Sequence, residues 1–548
     1  MLQGMDAAAA LIVNGTLIAA ASQERFDRQK KSPAFPFQAI DYCLDEAGIE
    51  ASDLNAICGN FSFGRSRQVF AMGPSAKKYW EACLDPKVIA KRLCDSYQID
   101  VPFVPTDHHD CHLHSALVSA PFEDCLAIVM DAAGEMGSTT VYEVNSGRVK
   151  RLRRYSISQS LGILYTLVTQ FLGYAPNEDE YKIMGLASFG DPGPFREAFQ
   201  SLLVLEPGGQ ISVPCLSLRS DFADGLFFRS AAKAIREAAG FDGASAEFRE
   251  RADFSAALQE RFTQALFHIA EYFRDKVASS SLLLSGGCAE NCAAIGELRR
   301  AQVFDAIHVG YASGDEGTAL GAAAAQSMLL DEPLRLPHGM PFFGYAPSKM
   351  IAAPLAHASG LKVEAFDCDL AMIDAAGDDI AADRVVAIVN GRMEYGARAL
   401  GNRSLLALPG NAANKDRING IIKKRQNYRP FAPAVIAEAA SIYFDLDPSE
   451  RYPYMTMLTT VRPEYRSALP AITHVDGTAR VQTVDRADNP QLFRLLERLG
   501  TRTGIPVVLN TSFNVNHQPI VCNEREAIET FIEMGIDALY IAGLRITL

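Results

Sequence analysis

The sequence predicts two α/β domains, and three features carry that reading. Short apolar strand candidates alternate with apolar stripes at helical spacing. The stretch SLLLSGGCAENC, from Ser281 to Cys292, reads as strand, glycine turn and helix, which is the grammar of a nucleotide site. Four prolines between Pro333 and Pro347 cannot continue a helix and mark a boundary. The expected division is 1–335 for the first domain, 336–360 for a proline-rich linker and 361–548 for the second.

Two apolar runs meet at Asn14-Gly15, a dipeptide that tolerates the positive φ of a type I′ turn, so a hairpin is expected within the first twenty residues. Phe37, Ile40, Cys43, Leu44 and Ala47 then recur at helical spacing, and Gly48 suits the stop. CLAIVMD and TTVYEVNSGRVKRL read as strands, the second folded at Asn145 to Gly147. Phe254, Leu258, Phe262, Ala265, Leu266, Ile269 and Phe273 make one helical stripe. Past the prolines, RVVAIVN and IPVVLN are strands that deliver the polar loops GRMEYGARALGNRS and TSFNVN. No repeat of solenoid period is evident.

At 548 residues, 48% hydrophobic and 21% charged, the chain is long enough for more than one core. A net charge of −13 gives no global field toward nucleic acid or anionic membrane, so small substrates are expected. Eleven scattered cysteines lack structural-zinc spacing and suit a reducing cytoplasm. No apolar run approaches the ~18 residues of a membrane span.

HHDCHLH gathers His108, His109, His112 and His114. On a helix His108 and His112 share a face, as two ligands of one metal would; surface or helix-cap histidines are the plain alternative. Asp131, ending the strand candidate IVMD, and Asp315, among the glycines of YASGDEG, would complete a set for iron, manganese or zinc. An aspartate at a strand end is otherwise often a simple cap. The glycine turns at Gly286-Gly287 and Gly314 favour phosphate oxygens, although each alone also marks tight packing. The C-terminal part holds Arg392, Arg398, Arg403, Lys423, Lys424, Arg425, Arg429 and Arg480 among glycines and RPFAP. Such an ordered wall would pair with an anionic substrate, where exposed arginines are normally solvated. Asn510, Thr511, Ser512 and Asn514 could fix a nucleotide or simply form a turn.

The motifs QERFDRQK, HHDCH, MDAAGE, EYKIMGLASFG, SGGCAEN, SGDEGTALGAA, EYGARALGNRS, RPFAPAVI, VDGTARVQTV and VLNTSFNVNHQPIV occur in that order. Through them the chain resembles, over nearly its whole length, the carbamoyltransferases of the NodU/CmcH/TobZ type, which act on hydroxyl groups of nodulation factors and antibiotics. The resemblance implies an N-terminal ASKHA-type domain, actin- and hsp70-like and duplicated, followed by a YrdC-like α/β domain. It implies that the second domain builds carbamoyl-adenylate from carbamoyl phosphate and ATP with magnesium, and that the first passes the carbamoyl group to a small hydroxylated acceptor. Its metal, expected to be iron, would be held by His108, His112, Asp131 and Asp315. Adenylate contacts would be Lys182, Gly286, Gly287, Asn291 and Gly314. In the second domain Arg398, Lys423, Arg429, Arg480 and Ser512 would act on carbamoyl phosphate and ATP, with Lys30 near one of the two sites, and Asn402, Arg403, Asn510 and Thr511 would contact nucleotide.

Three departures accompany the resemblance. Met5 precedes Asp6 where the family has a histidine, and a thioether cannot serve as a base near neutral pH. His114 stands where the family has a small residue and is a candidate substitute base; Ala397 replaces a proline in the arginine loop. The alternatives are a tRNA threonylcarbamoylation-type enzyme and a transfer-deficient nucleotide-binding homologue. The acceptor pocket is expected in the loop FSFGRSRQVFAMGPSAKKYWEACL, and no nucleic-acid or membrane partner is expected, with the oligomeric state left open, a dimer included.

Overall fold

Asn14 and Gly15 both adopt positive φ, 50° and 71°, and close a hairpin between the strands Ala8–Val13 and Thr16–Ser22, as the dipeptide predicts. The computed structural model describes residues 6–62, 85–218, 228–330, 334, 336, 339–426 and 428–548. The chain divides into two compact units, Met1–Ala20 with Pro33–Pro337, and Ala21–Ser32 with His338–Leu548.

In the first unit a five-stranded sheet runs in the spatial order Ala306–Val309, Ser281–Ser285, Cys125–Gly134, Gly137–Asn145, Arg148–Ser156. The first three strands are mutually parallel and the last three form an antiparallel meander. Cys125 to Met130 is buried on both faces, which explains the unbroken apolar run. Before this sheet comes a shorter version of the same succession. The hairpin is followed by helix Phe37–Ala47, strand Ile57–Gly59, helix Pro86–Tyr97, strand Phe103–Pro105 parallel to the preceding strand, and helix His108–Leu117. After the meander the later half repeats strand, helix, parallel strand, helix, with Cys292–Arg300 and Gly317–Leu329 as the two helices. That repetition is what a duplicated actin-like architecture requires. The histidine helix packs Leu113 and Ala116 onto Ala127, Val129, Tyr142 and Leu283 of the sheet. The stripe read between Phe254 and Phe273 is buried along a longer helix, Phe248–Arg274, which opens on a Glu247/Glu250 capping box.

The second unit is a mixed sheet of eight strands in the order Lys362–Ala365, Leu544–Thr547, Ala538–Ile541, Val386–Val389, Arg403–Ala407, Val507–Ser512, Ala432–Ile436, Gln482–Val484. Alternation sends Val385, Ala387 and Val389 into one apolar layer and Val386 and Ile388 into the other, so both faces are covered. Helices Asp369–Ala381 and Pro490–Thr503 are laced by Asp374–Arg494 and Asp378–Arg498 pairs at 2.8 and 2.7 Å.

Two boundaries differ from the sequence reading. From Gly339 onward the stretch read as the 336–360 linker is part of the second unit. Phe342 bridges to Glu394, and Ser348 caps helix Lys349–Ala358, whose Ala352 and Ala356 are core. The helix forms although Pro354 lies inside it and gives up one backbone hydrogen bond, because its Ala352 and Ala356 pack into the core. Segment Ala21–Ser32 also belongs to the second unit, where Arg28 pairs with Glu526 at 3.0 Å and donates to the Ile520 carbonyl, and Arg25 donates to the Gly396 carbonyl. Among the described residues no helix is long and apolar enough to cross a membrane.

Candidate metal centre and anion site

Asp107 caps the histidine helix, its Oδ1 accepting from the His109 N–H at 3.0 Å, and the following turn brings His108 and His112 onto one face. Their Nε2 atoms lie 3.1 Å apart. Asp131 sits where the register of its strand shifts, between Met130 and Gly134, a bulge that re-aims the side chain. Its Oδ2 is 3.4 Å from His108 Nε2, and Asp315 Oδ1 is 3.4 Å from both imidazoles. The four donor atoms all fall within 4.8 Å of one another.

Glycines make this convergence possible. A Cβ on Gly321 would stand 1.7 Å from the Cys111 carbonyl oxygen, so helix Gly317–Leu329 touches the histidine helix backbone to backbone and sets Asp315 beside it. A Cβ on Gly134 would meet the His108 and His109 rings at 2.6 and 2.4 Å. Phe61 stacks on His108. His109 is turned away, its Nδ1 2.6 Å from Thr140 Oγ1, and burial beside His108 holds it neutral, well below the ordinary imidazole value.

The electrostatics ask for a cation. Burial and the neighbouring Asp315 charge push the Asp131 carboxyl up, yet the His108 hydrogen bond and both imidazoles hold it below the carboxylate range; burial likewise opposes charge on Asp315, and its bonds to His108 and His112 hold it well below that range. Burial opposes charge on His108, but its bonds to the two carboxylates push it up to about 10. A divalent ion would supply the positive charge that this proton otherwise supplies, and two imidazoles with two carboxylates suit iron, manganese or zinc. Buried Nδ1 atoms of His108 and His112 meet no hydrogen-bond partner among the described residues, so packing and the Nε2 contacts with the carboxylates orient the rings.

The other residues expected in this unit divide. Gly286, at φ 87°, passes so close to Met130 that a Cβ would lie 2.2 Å from its carbonyl oxygen, and a Cβ on Gly287 would lie 3.3 Å from Asp131 Oδ1. The glycine turn therefore adjoins the metal set, as does Gly314, the neighbour of Asp315. Asn291 is already engaged: it caps the next helix at Ala294 N and exchanges two amide hydrogen bonds with Gln259. Lys182 is buried against Asp179 at 2.7 Å. His114 bonds back to the Asp110 carbonyl and lies outside the four-donor set. Met5 and residues 63–84 of the expected acceptor loop lie outside the described residues.

In the second unit, a π-helical turn Arg417–Ile422 delivers Lys423 to the end of strand Val507–Ser512. The buried Lys423 Nζ donates to the Ser512 carbonyl at 2.7 Å, to Ser512 Oγ at 3.2 Å and to Asn514 Oδ1 at 3.1 Å. Burial, then Arg425, Arg429 and Lys30, hold its ammonium well below the lysine range. Lys30, Lys423, Arg429 and Ser512 are thus brought together, with Arg425 fixed by Asn419 and stacked on Phe431. Arg480 lies close enough to His474 to help depress it.

Arg403 has a different place from the one expected. It is fully buried, and its guanidinium donates to the carbonyls of Tyr345, Asn390, Gly391, Asn402 and Cys522, so it builds the wall and leaves no fork open to a ligand. Asn402 likewise donates to the Arg392 carbonyl, and Asn510 to Gln482 and the Ala399 carbonyl. Thr511 pairs in the sheet with Leu405. Glu394, which sequence reasoning missed, gathers the N–H groups of Leu400, Asn402 and Arg403 on Oε1 at 2.8, 2.7 and 3.2 Å. It shapes the loop that presents the half-buried Arg398. An acidic residue beginning a loop of arginines and glycines was the signal available.

Two family models match the chain: one described as carbamoyltransferase N-terminus over residues 3–63 and 66–324, and one described as carbamoyltransferase C-terminus over 377–547. Nodulation protein NolNO of Sinorhizobium fredii is 36% identical over 550 residues, covering 98% of this chain and 78% of that protein. Nodulation protein NolO of Bradyrhizobium diazoefficiens is 38% identical over 79% of this chain and 77% of its own length. A 3'-hydroxymethylcephem-O-carbamoyltransferase of Amycolatopsis lactamdurans is 28% identical over 94% and 93%.

Proposed function

This chain belongs to the carbamoyltransferase family, whose N- and C-terminal models together span most of its length, and from that premise we propose that it works as two chemically distinct sites, one in each unit. In the second unit carbamoyl phosphate and ATP with magnesium yield carbamoyl-adenylate. The carbamoyl–phosphate link is broken with consumption of water and release of phosphate, and a carbamate oxygen attacks the α-phosphorus of ATP and displaces pyrophosphate. In the first unit an acceptor hydroxyl attacks the carbamoyl carbon, AMP leaves, and the hydroxyl proton departs to solvent or a base.

The observation that carries this reading is Lys423, buried with its charge suppressed among Lys30, Arg425 and Arg429, with Ser512 and Asn514 as its hydrogen-bond partners. Phosphate oxygens would be neutralised by these cations as pyrophosphate charge develops. In the first unit His108, His112, Asp131 and Asp315 would hold a divalent metal, with iron favoured and manganese or zinc as alternatives, and that metal would supply a Lewis acid for the carbamoyl carbonyl. The turn at Gly286-Gly287, which adjoins Asp131, would offer backbone N–H groups to adenylate phosphate. The acceptor is a small hydroxylated metabolite of the secondary-metabolite or glycan class, as the names of the cephem and nodulation relatives suggest.

Incubating the purified protein with carbamoyl phosphate and ATP, then assaying pyrophosphate and AMP-linked carbamate by mass spectrometry, tests the first half. Pyrophosphate release that depends on carbamoyl phosphate is expected. ATP left intact at every metal condition would sink the proposal.

A further inference from the structure

The strand Arg148–Ser156 is half of a hairpin, and one of its arginines reaches both elements that carry metal-site ligands. Arg154 Nη1 lies 2.7 Å from Asp107 Oδ2, and Nη2 lies 3.1 Å from Asp107 Oδ1, a two-pronged grip on the residue that caps the histidine helix. The same Nη2 donates to the Gly134 carbonyl at 3.4 Å, just past the bulge that aims Asp131. Gly137 has no side chain where the arginine crosses it; a Cβ there would lie 2.4 Å from Arg154 Nε. Since the Nδ1 atoms of His108 and His112 have no hydrogen-bond partner among the described residues, the placement of their helix decides where Nε2 points.

We propose that Arg154 is a positioning residue of the metal centre: by holding Asp107 and the Gly134 carbonyl at once, it fixes the distance between the histidine helix and the strand bearing Asp131. The proposal rests on the metal reading of the first unit. Arg151, on the same strand, supplies a control. It pairs with Asp110 at 3.2 Å and reaches Asp107 only at 3.8 Å, so it grips the helix without the cap-to-strand link.

The test is titration of the full-length protein with cobalt(II), read by its visible absorption and by chelator competition, alongside thermal unfolding without metal. Parent protein and Arg151→Ala are expected to bind alike, and His112→Ala to lose the site. Arg154→Ala is expected to bind roughly 10- to 100-fold more weakly with an altered spectrum. Arg154→Lys, which keeps the charge but not the fork, is expected to fall between. Should Arg154→Ala fail to fold, Asp107→Asn keeps an acceptor for the His109 N–H while breaking the grip, and is expected to show the same weakening. Parent-like affinity and spectrum in Arg154→Ala, or in Asp107→Asn where it is needed, overturn the positioning role alone. Absence of cobalt binding by the parent, or its persistence in His112→Ala, overturns the metal reading and this role with it.

Discussion

The ring of Phe61 lies parallel to that of His108, their centroids 4.6 Å apart and their planes inclined by 12°. Because the His108 Nδ1 has no hydrogen-bond partner among the described residues, this stack joins the Nε2 contacts with Asp131 and Asp315 in restraining ring rotation. Phe61→Ala is expected to cost about 3 kcal/mol of stability as a buried aromatic deletion. It should also weaken metal binding by roughly tenfold, within the range for loss of an outer support. Phe61→Leu should recover most of the stability and less of the affinity. Denaturant unfolding and metal titration on the same samples separate the two effects; unchanged affinity in Phe61→Ala would show that the stack is packing alone.

Gly321 faces the Cys111 carbonyl across the contact of the two helices. In an open helix Gly→Ala gains about 1 kcal/mol. Here a methyl 1.7 Å from a backbone oxygen forces the helices apart, an overpacking penalty of about 1–3 kcal/mol or more. Gly321→Ala is therefore expected to destabilise and to move Asp315 away from His112. A rise in denaturation midpoint would contradict the close approach.

What the sequence made legible was what is local. Asn14-Gly15 closes its hairpin with its own φ angles, and the Phe254 to Phe273 stripe repeats at the helical period, so neither needed distant partners to be read. His108 and His112 are one turn apart, and a pair can be seen at that spacing. Asp131 and Asp315 are joined to them only by the sheet order and the close approaches at Gly321 and Gly134, so residue type could suggest the set and the family resemblance was needed to fix it. Arg403 and Arg425 are equivalent cations in sequence, but one donates to five carbonyls and the other lies beside Lys423; burial, which no motif spells out, decides between wall and site. The passage of Ala21–Ser32 into the second unit rests on single contacts such as Arg28–Glu526, which leave no periodic trace.

Glu394 tests whether the arginine loop is held by hydrogen bonding or by charge. Glu394→Ala leaves three N–H groups without their acceptor, at about 1–3 kcal/mol each if they stay buried, and should raise KM for carbamoyl phosphate more than tenfold in pyrophosphate release. Glu394→Gln preserves an acceptor oxygen and should stay within a few-fold of the parent. Equal losses in both would instead assign the role to the negative charge.

Each unit contains a histidine that resists protonation. Burial lowers His308 to about 4, and burial with nearby Arg480 lowers His474 to about 4. In the unfolded chain both take a proton near 6.5. Between these values the unfolded state binds more protons, so the contribution of these two histidines to stability is intact above about 6.5 and falls as the pH drops toward 4. Melting temperatures across that range should show the decline, and His308→Gln should shallow it for the first unit. A slope unchanged in His308→Gln would contradict the neutral buried imidazole.

Lys423 sets the pH dependence of anion binding. Its folded value is depressed by burial and by Arg425, Arg429 and Lys30, so the folded chain disfavours the very charge an anion needs, and the fold is destabilised wherever the unfolded lysine would be protonated. An anion beside the ammonium reverses that depression, so binding draws a proton from solvent and tightens as the pH falls from the alkaline range. Sulfate is the suitable probe because it does not itself titrate there. Calorimetry in two buffers of unlike ionisation heat is expected to report proton uptake on sulfate binding, and Lys423→Met should bind weakly with no uptake. Proton release, or a pH-independent affinity in the parent, would mean that Lys423 is charged before the anion arrives, its ammonium already held by Ser512 and Asn514.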